Sequence, residues 1–251
     1  MNASSLQIML RALHLPSILA NYQELAGTAV ANNWGFEQYL HTLLEVETED
    51  RAQRRTTRLL SQSGLPDGKT LDNIDMSVFP QKIRRIVPTL LDGGFVERAE
   101  NILAFGLPGR GKTHLLAGVA HELIVRHSCR VLFITTFSLV QRLLVAKGEL
   151  RIEELLRKLD RYDVILLDDI GYVQQSREEM EILFTFLSER YERRSLMITS
   201  NLKFSEWDKI FKDPMTTAAA IDRLVHHSIV LELDCESWRA NQALKRQKGR
   251  K

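Results

Sequence analysis

Apolar side chains recur three and four residues apart through LQIMLRALHL (residues 6–15) and again through WGFEQYLHTLLEVE (34–47), which gathers them on one face of an α-helix. No strand-like run interrupts residues 1–63, and Pro16 is the one proline there. This stretch reads as a small all-helical module. The turn-rich segment SGLPDGKTLDN (63–73) follows it and opens a linker over 64–82. From about residue 83 the period changes. The β-rich runs NILAFG, VLFITT, YDVILLDD, SLMITSN and IVLEL alternate with KTHLLAGVAHELIVRH, FSLVQRLLVAK and EEMEILFTFLSERYERR, which are helical patterns. Strands alternating with helices predict an α/β domain with a parallel sheet covered on both faces. The strands expected at 102–106, 131–135, 163–168 and 196–200 are unbroken apolar runs, as burial on both faces requires. The expected organisation is therefore a helical module (1–63), a linker (64–82), an α/β domain (83–236) and a C-terminal tail (237–251).

With 44% apolar and 26% charged residues in 251, the chain is neither collagenous nor disordered and can bury a core. Cys129 and Cys235 are too few for a disulfide framework or a four-ligand zinc site, which points to a reducing compartment. No run approaches a membrane span, and the start lacks the apolar core of a signal peptide, so a cytosolic protein without membrane contact is expected. The net charge of +2 hides an asymmetry: from Arg239 to the end there are six bases and no acid, leaving about −4 for residues 1–238. The tail is either a solvated extension or a nucleic-acid contact. Arg51, Arg54, Arg55 and Arg58 share one helix face. That face either pairs with Glu47 and Asp50 or meets phosphates.

Residues 106–113, GLPGRGKT, satisfy G-x-x-x-x-G-K-[ST]. Gly106, Gly109 and Gly111 let the backbone, with Leu107, Pro108 and Arg110, turn its N–H groups inward around a polyphosphate. Lys112 would neutralise the β and γ oxygens, and Thr113 would offer a hydroxyl to Mg²⁺. The apolar strand before and the amphipathic helix after supply the strand–loop–helix context that ATP binding requires. YDVILLDDIG (162–171) ends a buried strand in two acids. Asp168 is placed for the magnesium shell and Asp169 to polarise the attacking water. SLMITSN ends in Thr199, Ser200 and Asn201, which a parallel sheet would bring to the same edge. Asn201 either orients the water and γ-phosphate or caps the following turn. In AAAIDRLVHH (218–227), Arg223 is either an arginine finger reaching a neighbouring site or a salt-bridge partner, and His226 and His227 read as cap or packing residues.

Together GLPGRGKTHLL, ILLDDIG, TSN, AAAIDRLVHH and CESWR resemble the IstB-like helper ATPases of bacterial insertion sequences, an AAA+ group similar to the helicase loader DnaC and, more distantly, the initiator DnaA. His114 after the loop, the LDDIG form and the DRL-HH helix are the restrictive part. The resemblance covers nearly the whole chain. It implies a bacterial cytoplasmic protein with a parallel-sheet P-loop AAA+ core, a helical N-terminal DNA-binding or assembly domain and, with eighteen residues after IVLEL, no separate C-terminal lid domain. Its implied activity is ATP-dependent: the protein would oligomerise on target duplex DNA, hydrolyse ATP with Mg²⁺ and recruit or stimulate the transposase of the same element. The alternative is a DnaC-like helicase loader. The resemblance makes Asn201 the sensor, Arg223 an inter-subunit element, His114 part of the ATP site and Ser237 and Arg239 part of a second nucleotide-sensing segment. Lys82, Arg84 and Arg85 then join the N-terminal arginines as expected DNA contacts.

Overall fold

A computed structural model describes residues 3–171, 176–202, 206, 222 and 224–234. The chain divides into two compact units, Met1–Arg58 and Leu59–Lys251. The first is built of helices joined by short turns in its described residues: α1 (Ala3–Ala12), α2 (Pro16–Ala31) and most of α3 (Phe36–Ser63). Its small core is Leu10, Ile18 and Leu43, with Tyr22 and Tyr39 packed against them.

Glu47 of α3 organises that unit. Pro16 opens α2, leaving the next backbone N–H groups without intrahelical partners. The Glu47 carboxylate, only 3% exposed, accepts both, from Ser17 N (2.8 Å) and Ile18 N (3.1 Å). Arg51 Nε donates to its other oxygen at 2.8 Å, and Arg54 lies 3.5 Å from it. Burial pushes the Glu47 carboxyl up, but the Arg51 and backbone hydrogen bonds outweigh it and hold the group below its ordinary range. Of the four arginines on the α3 face, Arg51 and Arg54 thus take the pairing alternative. Arg55 and Arg58 are exposed, with no ion pair among the described residues.

In the second unit five strands, β1 (Asn101–Phe105), β2 (Val131–Thr135), β3 (Val164–Asp168), β4 (Ser195–Ser200) and β5 (Ser228–Glu232), form one parallel sheet in the order β2-β3-β4-β1-β5. Alternate residues of each strand feed opposite cores, as the period of two requires. Leu103, Phe105, Ile165, Leu167, Leu196 and Ile198 pack with α7 (Thr136–Gly148), α8 (Ile152–Leu159) and α9 (Arg177–Arg190). Ile102, Ala104, Val164, Leu166 and Met197 pack on the other face with α6 (Lys112–His127) and α4 (Gln81–Leu91). The strands match the apolar runs read from the sequence. The helices α4, α8 and the single turn α5 (Gly94–Glu97) lie outside the patterns named there.

Residues 64–82 are more than a linker. They carry two 3₁₀ turns, Leu71–Asn73 and Met76–Val78, and Leu65, Leu71, Ile74, Met76 and the buried Phe79 belong to the core beneath α6. Lys82, Arg84 and Arg85 lie on the exposed side of α4, whose Ile83 and Val87 are buried. No described helix is long and apolar enough to cross a membrane. Arg223, Ser237, Arg239 and the basic tail lie outside the described residues, and so does the stretch on which the expected absence of a lid domain falls.

Candidate functional site

The carboxyl ends of β1, β3 and β4 meet at one sheet edge, and the phosphate loop springs from the first of them. Gly106 (φ 153°) and Gly111 (φ 82°) adopt backbone that side chains avoid. A Cβ on Gly106 would lie 2.6 Å from Leu233 O, and one on Gly111 3.1 Å from the Phe79 ring. Glycine is therefore required at both ends of the loop for close approach as well as for conformation. The loop is also tied sideways: Arg110 forms an ion pair with Asp234, just past β5.

Lys112, at the start of α6, is 7% exposed. Its three ammonium donors reach Gly106 O (2.6 Å), Leu107 O (3.1 Å) and Asn201 Oδ1 (2.7 Å). To meet a phosphate oxygen Nζ exchanges one of these acceptors for it, so the cation is held where the phosphates would lie. Asn201 in turn donates its amide N–H to Asp169 Oδ1 at 2.8 Å.

The two acids are fixed by hydroxyls. Thr113 Oγ1 (2.7 Å) and Thr199 Oγ1 (2.9 Å) both donate to Asp168 Oδ1. Thr199 Oγ1 also accepts from the Asp169 backbone N–H at 2.7 Å. Asp169 sits in the left-handed region (φ 61°), which aspartate tolerates better than most side chains. Burial, and then the neighbouring Asp168 charge, push the Asp169 carboxyl above its ordinary range, with Lys112 pulling the other way. An acid so perturbed beside a cationic loop has the character of a general base. Thr113 and Asp168 offer only oxygen, so this pair suits a hard cation such as Mg²⁺.

A cavity of about 330 Å³ joins these groups. Its lining includes Pro108 to His114, Asp168, Asp169, Thr199 and Asn201, and also Lys69, Asn73, Ile74, Asp75, Val78 and Phe79 from the 64–82 segment. His114 Nε2 donates to Thr70 O at 3.0 Å, strapping that segment to α6. The structure thus brings together every expected ATP-site residue it describes. Sequence reading missed the second wall and the relay role of Thr199; the one available signal was the apolar pair Val78–Phe79 ahead of Pro80.

The family model described as IstB-like ATP binding protein matches residues 8–246. An insertion-sequence ATP-binding protein of Sinorhizobium fredii is 42% identical across 98% of this chain and 83% of its own length. The IS21 ATP-binding protein of Pseudomonas aeruginosa is 36% identical across 96% of this chain and 90% of its own. Among solved structures, the DnaC helicase loader superposes with a TM-score of 0.53 at 20% identity, covering 67% of this chain and 98% of that one. AMPPCP-bound DnaA from Aquifex aeolicus gives 0.56 at 19% identity, covering 75% of this chain and 56% of that one. These two likenesses, with the observed strand order, show that the second unit shares the parallel-sheet fold of the DnaC and DnaA chains.

Proposed function

Since the chain belongs to the IstB-like ATP binding protein family, we propose that it is the ATP-hydrolysing, DNA-binding helper of a bacterial insertion sequence. In this reading it assembles with further copies on duplex DNA and recruits or stimulates the element's transposase. The observation that carries the catalytic part is the unbroken chain Thr113–Asp168–Thr199–Asp169–Asn201–Lys112. It ties metal-type oxygen ligands, a candidate base and the phosphate-binding cation into one rigid unit.

Lys112 and the loop N–H groups hold the β- and γ-phosphates. Thr113 and Asp168 would hold Mg²⁺, which when bound supplies charge neutralisation across those oxygens. Asp169 accepts the proton of the attacking water. Asn201 fixes the Asp169 carboxyl and accepts from Lys112 Nζ, so a phosphate that draws Lys112 away changes one of its two hydrogen bonds and makes it a sensor. Arg223 acts on the site of a neighbouring copy, where it stabilises charge on the transferred phosphoryl group. Duplex DNA is met through phosphates by Arg55 and Arg58 in the first unit and by Lys82, Arg84 and Arg85 in the second. Arg51 and Arg54 are engaged by Glu47 and contribute less.

The test is phosphate release by the purified chain with and without duplex DNA, alongside sedimentation with a non-hydrolysable nucleotide. Duplex DNA is expected to raise turnover and, with nucleotide, to produce assemblies. Lys112→Ala removes nucleotide binding; Asp169→Asn keeps it and loses turnover. A chain that stays monomeric with both ligands, or turns over equally well as Asp169→Asn, overturns the reading.

A further inference from the structure

At the sheet edge opposite the phosphate loop, two segments come together. Tyr191 and Glu192 follow the end of α9, and Glu192 is held in left-handed backbone (φ 56°). Leu224 to His226 are helical and lead through His227 into β5. His227 O accepts from Asn101 N at 2.7 Å, which fixes this corner to the first residue of β1.

Three side chains of different origin converge there. His227 Nε2 lies 3.2 Å from Glu192 Oε1. The His226 ring stands edge-on to that of His227, with centroids 4.3 Å apart and planes at 71°. One donor atom from each of Glu192, His226 and His227 lies within 4.8 Å of the other two. The Tyr191 hydroxyl stands 3.2 Å from His226 Nδ1. The side chains of His227 and Glu192 are 47% and 55% exposed, so an ion in solution reaches them directly.

We propose that Glu192, His226 and His227 bind a divalent late transition metal of the Zn²⁺ class. A surface His–Glu ion pair accounts for one ring and one carboxylate. It does not account for a second imidazole brought to the same carboxylate. Around tetrahedral zinc, nitrogen and oxygen ligands at about 2.0–2.2 Å from the ion stand roughly 3.3–3.5 Å from one another. The Glu192–His227 separation is already close to that value, and the His226 ring, exposed at the helix end, closes the remainder by side-chain rotation. Two imidazoles with one carboxylate favour Zn²⁺, Ni²⁺ or Cu²⁺ over Mg²⁺, which prefers an all-oxygen shell. This site and the oxygen-lined pair Thr113–Asp168 therefore select different metals. Three protein ligands leave a coordination position for water. Once occupied, the site would staple the turn between α9 and β4 to the approach to β5.

The experiment is calorimetric titration of the full, nucleotide-free chain with ZnCl₂ in millimolar Mg²⁺, with thermal melting followed in parallel. One saturable zinc equivalent and a zinc-dependent rise in melting temperature are expected. His226→Ala, His227→Ala and Glu192→Gln should each weaken binding about tenfold or more. His41→Ala, which removes a histidine 3.3 Å from Glu45 on α3, should leave it unchanged. Glu192→Gln keeps the test open should a histidine variant disturb β5. Absence of saturable one-to-one binding overturns the proposal. So does equal zinc affinity in the Glu192→Gln and parent chains, a loss in His41→Ala as large as in His227→Ala, or displacement of the zinc by millimolar Mg²⁺.

Discussion

Replacing Thr199 by valine removes one hydroxyl and almost no volume, which makes it a clean probe of the relay between the two acids. Thr199 is 1% exposed, and its Oγ1 donates to Asp168 Oδ1 at 2.9 Å while accepting from Asp169 N at 2.7 Å. The valine variant strands a backbone N–H, costing about 1–3 kcal/mol, and removes a charge-assisted bond whose gross worth is about 1.5–3 kcal/mol. Asp168 is only partly buried and water replaces some of that second loss, so the net destabilisation is about 2 kcal/mol. For a domain of this size that lowers the melting temperature by roughly 4–8 °C. Loss of the tether also loosens both carboxylates, so the magnesium concentration for half-maximal ATPase should rise as turnover falls. Thr199→Ser keeps the hydroxyl and should recover most of both effects. Urea and thermal denaturation of the three proteins, with a magnesium titration of phosphate release, measure this. A valine variant as stable as the parent, with unchanged magnesium dependence, refutes the relay.

Asp169 carries a raised pKa, so its folded form binds a proton more readily than the unfolded chain, and ionising it costs stability as pH rises through the folded value. Asp169→Asn should therefore be more stable than the parent at neutral pH while inactive, and the gain should disappear as pH falls toward the ordinary value of 3.8. The acid limb of the parent's ATPase rate should likewise lie above 3.8. Glu47 has the opposite sign, its pKa being lowered. Glu47→Ala should cost about 2–3 kcal/mol at pH 7 by uncapping α2 and unpairing two arginines. Circular dichroism in urea should show that difference shrinking as pH falls below the ordinary 4.5 and the parent carboxylate is protonated. Arg190, 3% exposed, donates to Leu159 O, Tyr162 O and Ser195 O, joining the end of α8 to the start of β4. Arg190→Met should cost about 2–4 kcal/mol in chemical denaturation by leaving those carbonyls without their donor.

What the sequence disclosed follows from how local each signal is. Ile102–Phe105 and Val164–Leu167 are unbroken apolar runs because both faces of their sheet are buried. The phosphate loop is contiguous, so spacing alone exposes it. The second wall of the cavity is not local: Phe79 matters because it lies against Gly111, and Thr70 because His114 reaches its carbonyl. No property of 64–82 taken alone shows either contact. The arginines of α3 divide by distance to one buried carboxylate, Glu47, which helical spacing brings near without saying that it caps another helix. Arg190 was hidden for the opposite reason, since a charged residue ending an amphipathic helix looks solvated until the carbonyls around it are seen. The helix α8 was within reach, because Ile152, Leu155, Leu156 and Leu159 follow the helical period.

The sheet order has a consequence for biosynthesis. β1 pairs with β4 in the register Ile102↔Met197 and with β5 in the register Asn101↔Ser228, so both neighbours leave the ribosome about 95 and about 127 residues after it. Until then the backbone N–H and C=O groups along its two edges have no ladder partner. Such long-range parallel pairing slows folding and prolongs exposure to aggregation. The phosphate loop is translated early, but its Asn201 and Asp234 contacts form only when the final strands dock, so nucleotide-binding competence should be acquired in the last steps of maturation.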